Sequence, residues 1–76
     1  MKIYDERYQE FLRRLRKARE DAGLSQCEAA RRLGKTQAFI WKCEVGERRV
    51  DFVEAVVFAK LYRKRLTYFA PAAVQG

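Results

Sequence analysis

Gly23-Leu24-Ser25-Gln26-Cys27-Glu28-Ala29-Ala30-Arg31-Arg32-Leu33-Gly34 runs straight into Lys35-Thr36-Gln37-Ala38-Phe39-Ile40-Trp41-Lys42-Cys43-Glu44-Val45-Gly46, and the punctuation of this stretch decides the fold. Ser25 and Glu28 stand at capping-box spacing: the Ser25 hydroxyl accepts from the Glu28 amide, and the Glu28 carboxylate accepts from the Ser25 amide. A short helix therefore opens after Ser25 and ends at Leu33, where Gly34 stops it. Thr36 caps the next helix, which passes through Gln37, Ile40, Cys43 and Glu44 and ends at Gly46. Two short helices joined through Gly34-Lys35 make a helix-turn-helix, whose turn holds the second helix at an angle that projects it from the surface.

Upstream, Tyr8, Phe11, Leu12, Leu15, Ala18 and Ala22 recur at three- and four-residue steps, the stripe of an amphipathic helix. With Asp5 as its N-cap, that helix runs from about Asp5 to Ala22. Gly23 can take the left-handed conformation that ends it, and Leu24 can fold back as its apolar contact. Downstream, Glu47-Arg48-Arg49-Val50 reads as a charged loop. Asp51-Phe52-Val53-Glu54 is a second capping box, opening a helix that continues to about Tyr62. A last short turn or helix, Leu66 to Ala70, is closed by Pro71, which has no backbone N–H to donate. The residues after Pro71 read as a tail. The whole is one all-α domain of four to five helices, with its core at about residues 5–70.

Bulk composition narrows the function. At 76 residues there is room for one domain. Seventeen Lys and Arg against ten Asp and Glu give a net charge of +7, a field that draws polyanions, of which nucleic acid is the commonest partner for a basic domain of this size. No apolar run approaches the length of a membrane span, and Met1 to Asp5 lead into polar sequence, so a cytoplasmic protein is expected. Cys27 and Cys43, with no histidine anywhere, cannot build a four-ligand zinc site, and both are expected to be small buried thiols. Neither metal nor cofactor is implied. An enzyme is not expected either: there is no histidine, no pair of carboxylates on one helical face and no glycine-rich phosphate loop.

From about Leu15 to Phe69 the sequence resembles the Xre family of phage Cro- and repressor-like regulators. The matching residues are Leu15, Arg19, Gly23-Leu24-Ser25-Gln26, Glu28, Ala30, Leu33-Gly34, Thr36-Gln37, Ile40, Glu44, Gly46-Glu47-Arg48-Arg49, Asp51 and Ala59. The resemblance implies a compact lambda-repressor-like domain acting on double-stranded DNA as a transcriptional regulator, with its third helix in the major groove. Helical geometry turns Ile40, Cys43 and Glu44 toward the first two helices and leaves Gln37, Ala38, Trp41, Lys42 and Val45 outside. In the family this outer face carries the DNA contacts. Gln37 can pair bidentately with adenine, Lys42 can reach guanine or a phosphate, and the Ala38 methyl can meet that of thymine. By the same resemblance Gln26 touches the DNA backbone and braces Gln37, while Lys35, Thr36, Arg48 and Arg49 add phosphate contacts. Arg19 and Glu44 match a pair that in the family ties the first helix to the end of the third.

Three departures from the family pattern bear on the target. Trp41 stands where a small polar residue is usual, Ala38 is smaller than the common polar reader, and Arg63 replaces a glycine after the fourth helix. An indole at position 41 suits either DNA or a protein surface, which keeps an antitoxin-like interaction module open as the alternative. On the fourth helix Phe52, Ala55, Val56 and Ala59 suffice for the core. Val53, Val57 and Leu61 then form a second apolar stripe, which Tyr68 and Phe69 can join. Such a stripe calls for a homodimer, or for a wider core packed by the N-terminal arm or the tail.

Overall fold

Four helices and a closing turn follow one another in the computed structural model, which describes residues 6–71: α1 (Glu6–Asp21), α2 (Gln26–Leu33), α3 (Gln37–Val45), α4 (Phe52–Tyr62) and a 3-10 turn (Leu66–Phe69). Among the described residues there is no strand, so the chain is all-α as its punctuation predicts. The expected cap at Asp5 and the tail after Pro71 lie outside the described residues.

The caps explain the boundaries. The Glu28 amide donates to the Ser25 hydroxyl at 3.0 Å and the Ser25 amide to the Glu28 carboxylate at 2.8 Å, satisfying two otherwise orphan donors of α2. Asp51 and Glu54 repeat the arrangement at α4, at 2.8 and 3.1 Å. At α3 the Thr36 hydroxyl accepts from the Phe39 amide at 3.1 Å. Gly34 takes φ +68°, and the Lys35 amide returns 2.9 Å to the Ala30 carbonyl, so the chain leaves α2 in a tight reversal that sets the α2–α3 angle. α4 ends the same way without a glycine: Arg63 itself adopts φ 56°, and the Lys64 amide reaches the Ala59 carbonyl at 2.9 Å.

The core gathers Leu15 and Ala18 of α1, Ala29 and Ala30 of α2, Ile40 and Cys43 of α3, and Phe58, Ala59 and Tyr62 of α4, with Leu24 folded over them. Burying apolar side chains at this density is what stabilises so short a chain. Several sequence expectations are corrected here. α4 turns a different arc inward: Phe58 and Tyr62, stacked at 5.8 Å, fill the volume, whereas Phe52 is 69% exposed. A larger aromatic pair one turn apart outcompetes the arc centred on Phe52, and Ala55 and Val56 are left half-buried. Phe69 belongs to the core, closing it edge-on to Phe11 at 6.0 Å, and so is no dimer-surface residue. Tyr68 and Leu61 are half-buried against the same core. Cys27 is exposed, because α2 buries the arc of Ala29 and Ala30; Cys43 alone is the buried thiol, and burial pushes its pKa up. Ala22, beyond the end of α1, is exposed as well.

Candidate nucleic-acid interface

α3 sorts its residues as its helical phase requires. Ile40, Cys43 and Glu44 are buried, and Gln37, Ala38, Trp41, Lys42 and Val45 are exposed on the other side. The N-terminal end of that outer face is controlled by a chain of hydrogen bonds that begins in the core. Arg19 grips both Glu44 oxygens, through Nε at 2.6 Å and Nη2 at 3.1 Å, and anchors on the Leu24 carbonyl through Nη1 at 2.9 Å. The Gln26 amide then donates to Glu44 Oε1 at 3.1 Å, and the Gln37 amide donates to Gln26 Oε1 at 2.6 Å.

The order of donors in this chain is dictated by its charged end. A carboxylate paired with a guanidinium only accepts, so Gln26 must turn its NH₂ toward Glu44 and is left with its carbonyl for Gln37. Gln37 therefore commits one N–H to Gln26, and its own Oε1 and second N–H are left for another partner. An acceptor beside a donor is the pattern complementary to N6–H and N7 on the major-groove edge of adenine.

The cations divide by location. On α1, Arg14 pairs with Glu10 at 2.8 Å, Arg16 with Glu20 at 3.2 Å and Lys17 with Asp21 at 2.9 Å, and Arg13 also meets Glu10. Lys64 reaches Asp21 at 3.1 Å. Each of these carboxylates lies one helical turn away or directly opposite, and Glu10, Glu20 and Asp21 between them offset part of the charge of the five cations. By contrast no ion pair among the described residues engages Arg31, Arg32, Lys35 or Lys42. Lys60, Arg63 and Arg65, on and after α4, stand outside those ion pairs as well, so the helix-turn-helix carries part of the uncompensated positive charge.

Gln26, Gln37, Ala38, Trp41 and Lys42 are brought together, with Thr36 and Lys35 at their N-terminal edge. Thr36 spends its hydroxyl as the α3 cap, and the Lys35 ammonium lies 5.2 Å over the Phe39 ring. The two loop arginines expected on phosphates are engaged within the protein. Arg48 forks onto Glu54 at 2.8 and 2.7 Å and its guanidinium lies 4.8 Å over the Phe39 ring, so it braces α3 against the first turn of α4. That guanidinium holds the Glu54 carboxyl below the usual range. Arg49 lies 4.4 Å over the Tyr8 ring, whose hydroxyl accepts from the Val50 amide at 3.0 Å. Sequence reasoning missed three of these roles: Phe39 as a platform for cations, Glu54 as both capping residue and clamp, and Glu44 as the acceptor that fixes Gln26. Only the capping spacing of Glu54 was visible; Gln26 and Glu44 are 18 residues apart, and no single helix carries both Arg48 and Phe39 or both Arg48 and Glu54.

A capped helix pair that presents an exposed second helix, with unpaired cations around it, defines a helix-turn-helix domain, a DNA-binding class. The family model described as a helix-turn-helix domain matches residues 10–63, most of the chain, and the protein belongs to that family. No curated protein matches the chain. Among the described residues no helix is long and apolar enough to cross a membrane.

Proposed function

We propose that the protein is a cytoplasmic, non-catalytic transcriptional repressor that reads a palindromic operator in double-stranded DNA as a homodimer, with α3 in the major groove. The observation that carries this reading is the hydrogen-bond chain from Arg19 through Glu44 and Gln26, which hands Gln37 to the outside with a defined donor and acceptor. Lys35 and Lys42 supply phosphate or guanine contacts, and Arg48, over the Phe39 ring of α3, and Arg49 are the further phosphate contacts of this reading. Val53 and Val57, 69% and 43% exposed, are the residues of the second apolar stripe on α4 left for self-association, beside Phe52, which is as exposed as Val53.

Selection of binding sites from random duplexes tests it. Gln37→Ala should cost about 1–3 kcal/mol on the best site and relax preference at one A·T pair. Footprints should fall on one face of the duplex, with half-site centres about 10–10.5 base pairs apart. An unchanged selected sequence in the Gln37→Ala protein would overturn the assignment. The exposed indole of Trp41 favours a second reading, an antitoxin-like module that holds a protein partner and regulates its own gene. Salt separates the two, since phosphate contacts weaken steeply with ionic strength and an apolar protein interface hardly responds.

A further inference from the structure

α3 is apolar on both sides. Phe39, Ile40 and Cys43 pack inward, yet Ala38, Trp41 and Val45, three and then four residues apart, line up as one ridge on the exposed face. Trp41 is 41% exposed and Val45 47%. Gln37 and Lys42 flank this ridge, and an exposed apolar strip rimmed by polar residues marks a surface that a partner covers.

The surroundings of the ridge say what. Gln37, one turn before Trp41, presents an oriented amide from its anchor on Gln26, and the neighbouring Lys35 and Lys42 have no carboxylate partner among the described residues. With a net charge of +7 the face is complementary to a polyanion. A polyanion that also offers apolar surface beside hydrogen-bonding edges is duplex DNA, whose major groove carries one apolar group, the C5-methyl of thymine.

We propose that the ridge of Ala38, Trp41 and Val45 reads thymine methyl groups next to the base pair met by Gln37, and that Trp41 sets this preference. The inference rests on the DNA-binding reading above and names what that face selects. Ala38 is small enough to let the groove edge approach, and the indole then covers a methyl on the neighbouring step. Val45 extends the apolar surface toward the C-terminal end of α3.

The test uses the full chain and the best duplex selected from random DNA. Each thymine is replaced in turn by uracil, which keeps the base pair and its acceptors and removes only the methyl. At one or two thymines adjacent to the pair read by Gln37, the wild type should lose about fourfold in affinity, the equivalent of the roughly 0.8 kcal/mol for burying one methyl-sized group. Trp41→Ala should bind the thymine and uracil duplexes alike, with its unfolding midpoint unchanged. Should that variant be less stable, Trp41→Gln, which keeps a longer side chain than alanine and removes the apolar ring, must show the same loss of discrimination. Specific binding with no uracil effect at any position overturns the ridge and leaves the DNA-binding reading standing. Discrimination that survives in the Trp41 variants also overturns it. Failure to select any duplex sinks both.

Discussion

Arg19, Glu44, Gln26 and Gln37 do one job with four side chains, but they differ in what their loss would remove. Arg19 and Glu44 are nearly buried, with side chains 11% and 4% exposed, so removing either leaves a charge without its partner in the core. Glu44→Ala should cost about 3–5 kcal/mol of stability. Gln26 is only half-buried and uncharged, and its loss strands no ion. Gln26→Ala should therefore change the unfolding midpoint little while freeing the Gln37 amide to rotate, which lowers affinity and blurs preference at one base pair. Denaturant unfolding and duplex binding measured on both variants check the separation; a Gln26→Ala protein that binds and discriminates like the wild type would show that the chain of bonds is scaffolding alone. Tyr62 carries a different signature. Its phenol is buried without a hydrogen-bond partner among the described residues, and burial pushes its pKa up, so the ring is there for packing.

Among the elements, α4 shows how a terminus can be right for the fold and wrong for the residue. Its C-cap is left-handed and its closing bond, from the Lys64 amide to Ala59, is in place, yet the residue that takes φ 56° is Arg63. An L side chain in that region costs about 1–2 kcal/mol, part of which glycine gives back through the greater freedom of its unfolded chain. Arg63→Gly should raise stability by about 0.5–1 kcal/mol without moving the helix end. A higher melting temperature with unchanged DNA binding is the expected result, and a lower one would mean that the arginine side chain contributes more than its backbone costs. α3 is the opposite case: its caps are ordinary, and its outer face is where it departs from the family pattern.

For the molecule as a whole, the balance of charge and apolar surface points the same way. Five cations on and beside α1 share the carboxylates of Glu10, Glu20 and Asp21. Arg31, Arg32, Lys35 and Lys42 of the helix-turn-helix stand outside every ion pair among the described residues, as do Lys60, Arg63 and Arg65, so the helix-turn-helix is positive without holding all of the unpaired charge. Of the exposed apolar residues on α4, Val53 and Val57 border a groove of about 140 Å³ shared with Leu33 and Phe39. A second copy would cover it, and Val57→Glu should then convert a dimer to a monomer in sedimentation at micromolar protein. It should also weaken binding to a two-half-site duplex far more than to a single half-site. A wild type that sediments as a monomer at high concentration, even on DNA, would remove the dimer.

Local chemistry wrote the fold into the sequence. The capping boxes at Ser25 and Asp51, the Thr36 cap and the glycines after α2 and α3 act over four residues or fewer, and their spacing alone placed α2, α3 and α4 within a residue of where they stand. The exposed face of α3 was legible for the same reason, since helical phase follows from position. What tertiary structure decided was every question of which of two plausible surfaces wins a shared volume: Phe58 and Tyr62 over Phe52, Phe69 in the core, Cys27 outside it. The fate of the cations was decided there too, with Arg48 on Glu54 and Arg49 over Tyr8. Such contacts join residues whose separation in sequence carries no period, and they are settled only when packing fixes which side chains come within reach of one another.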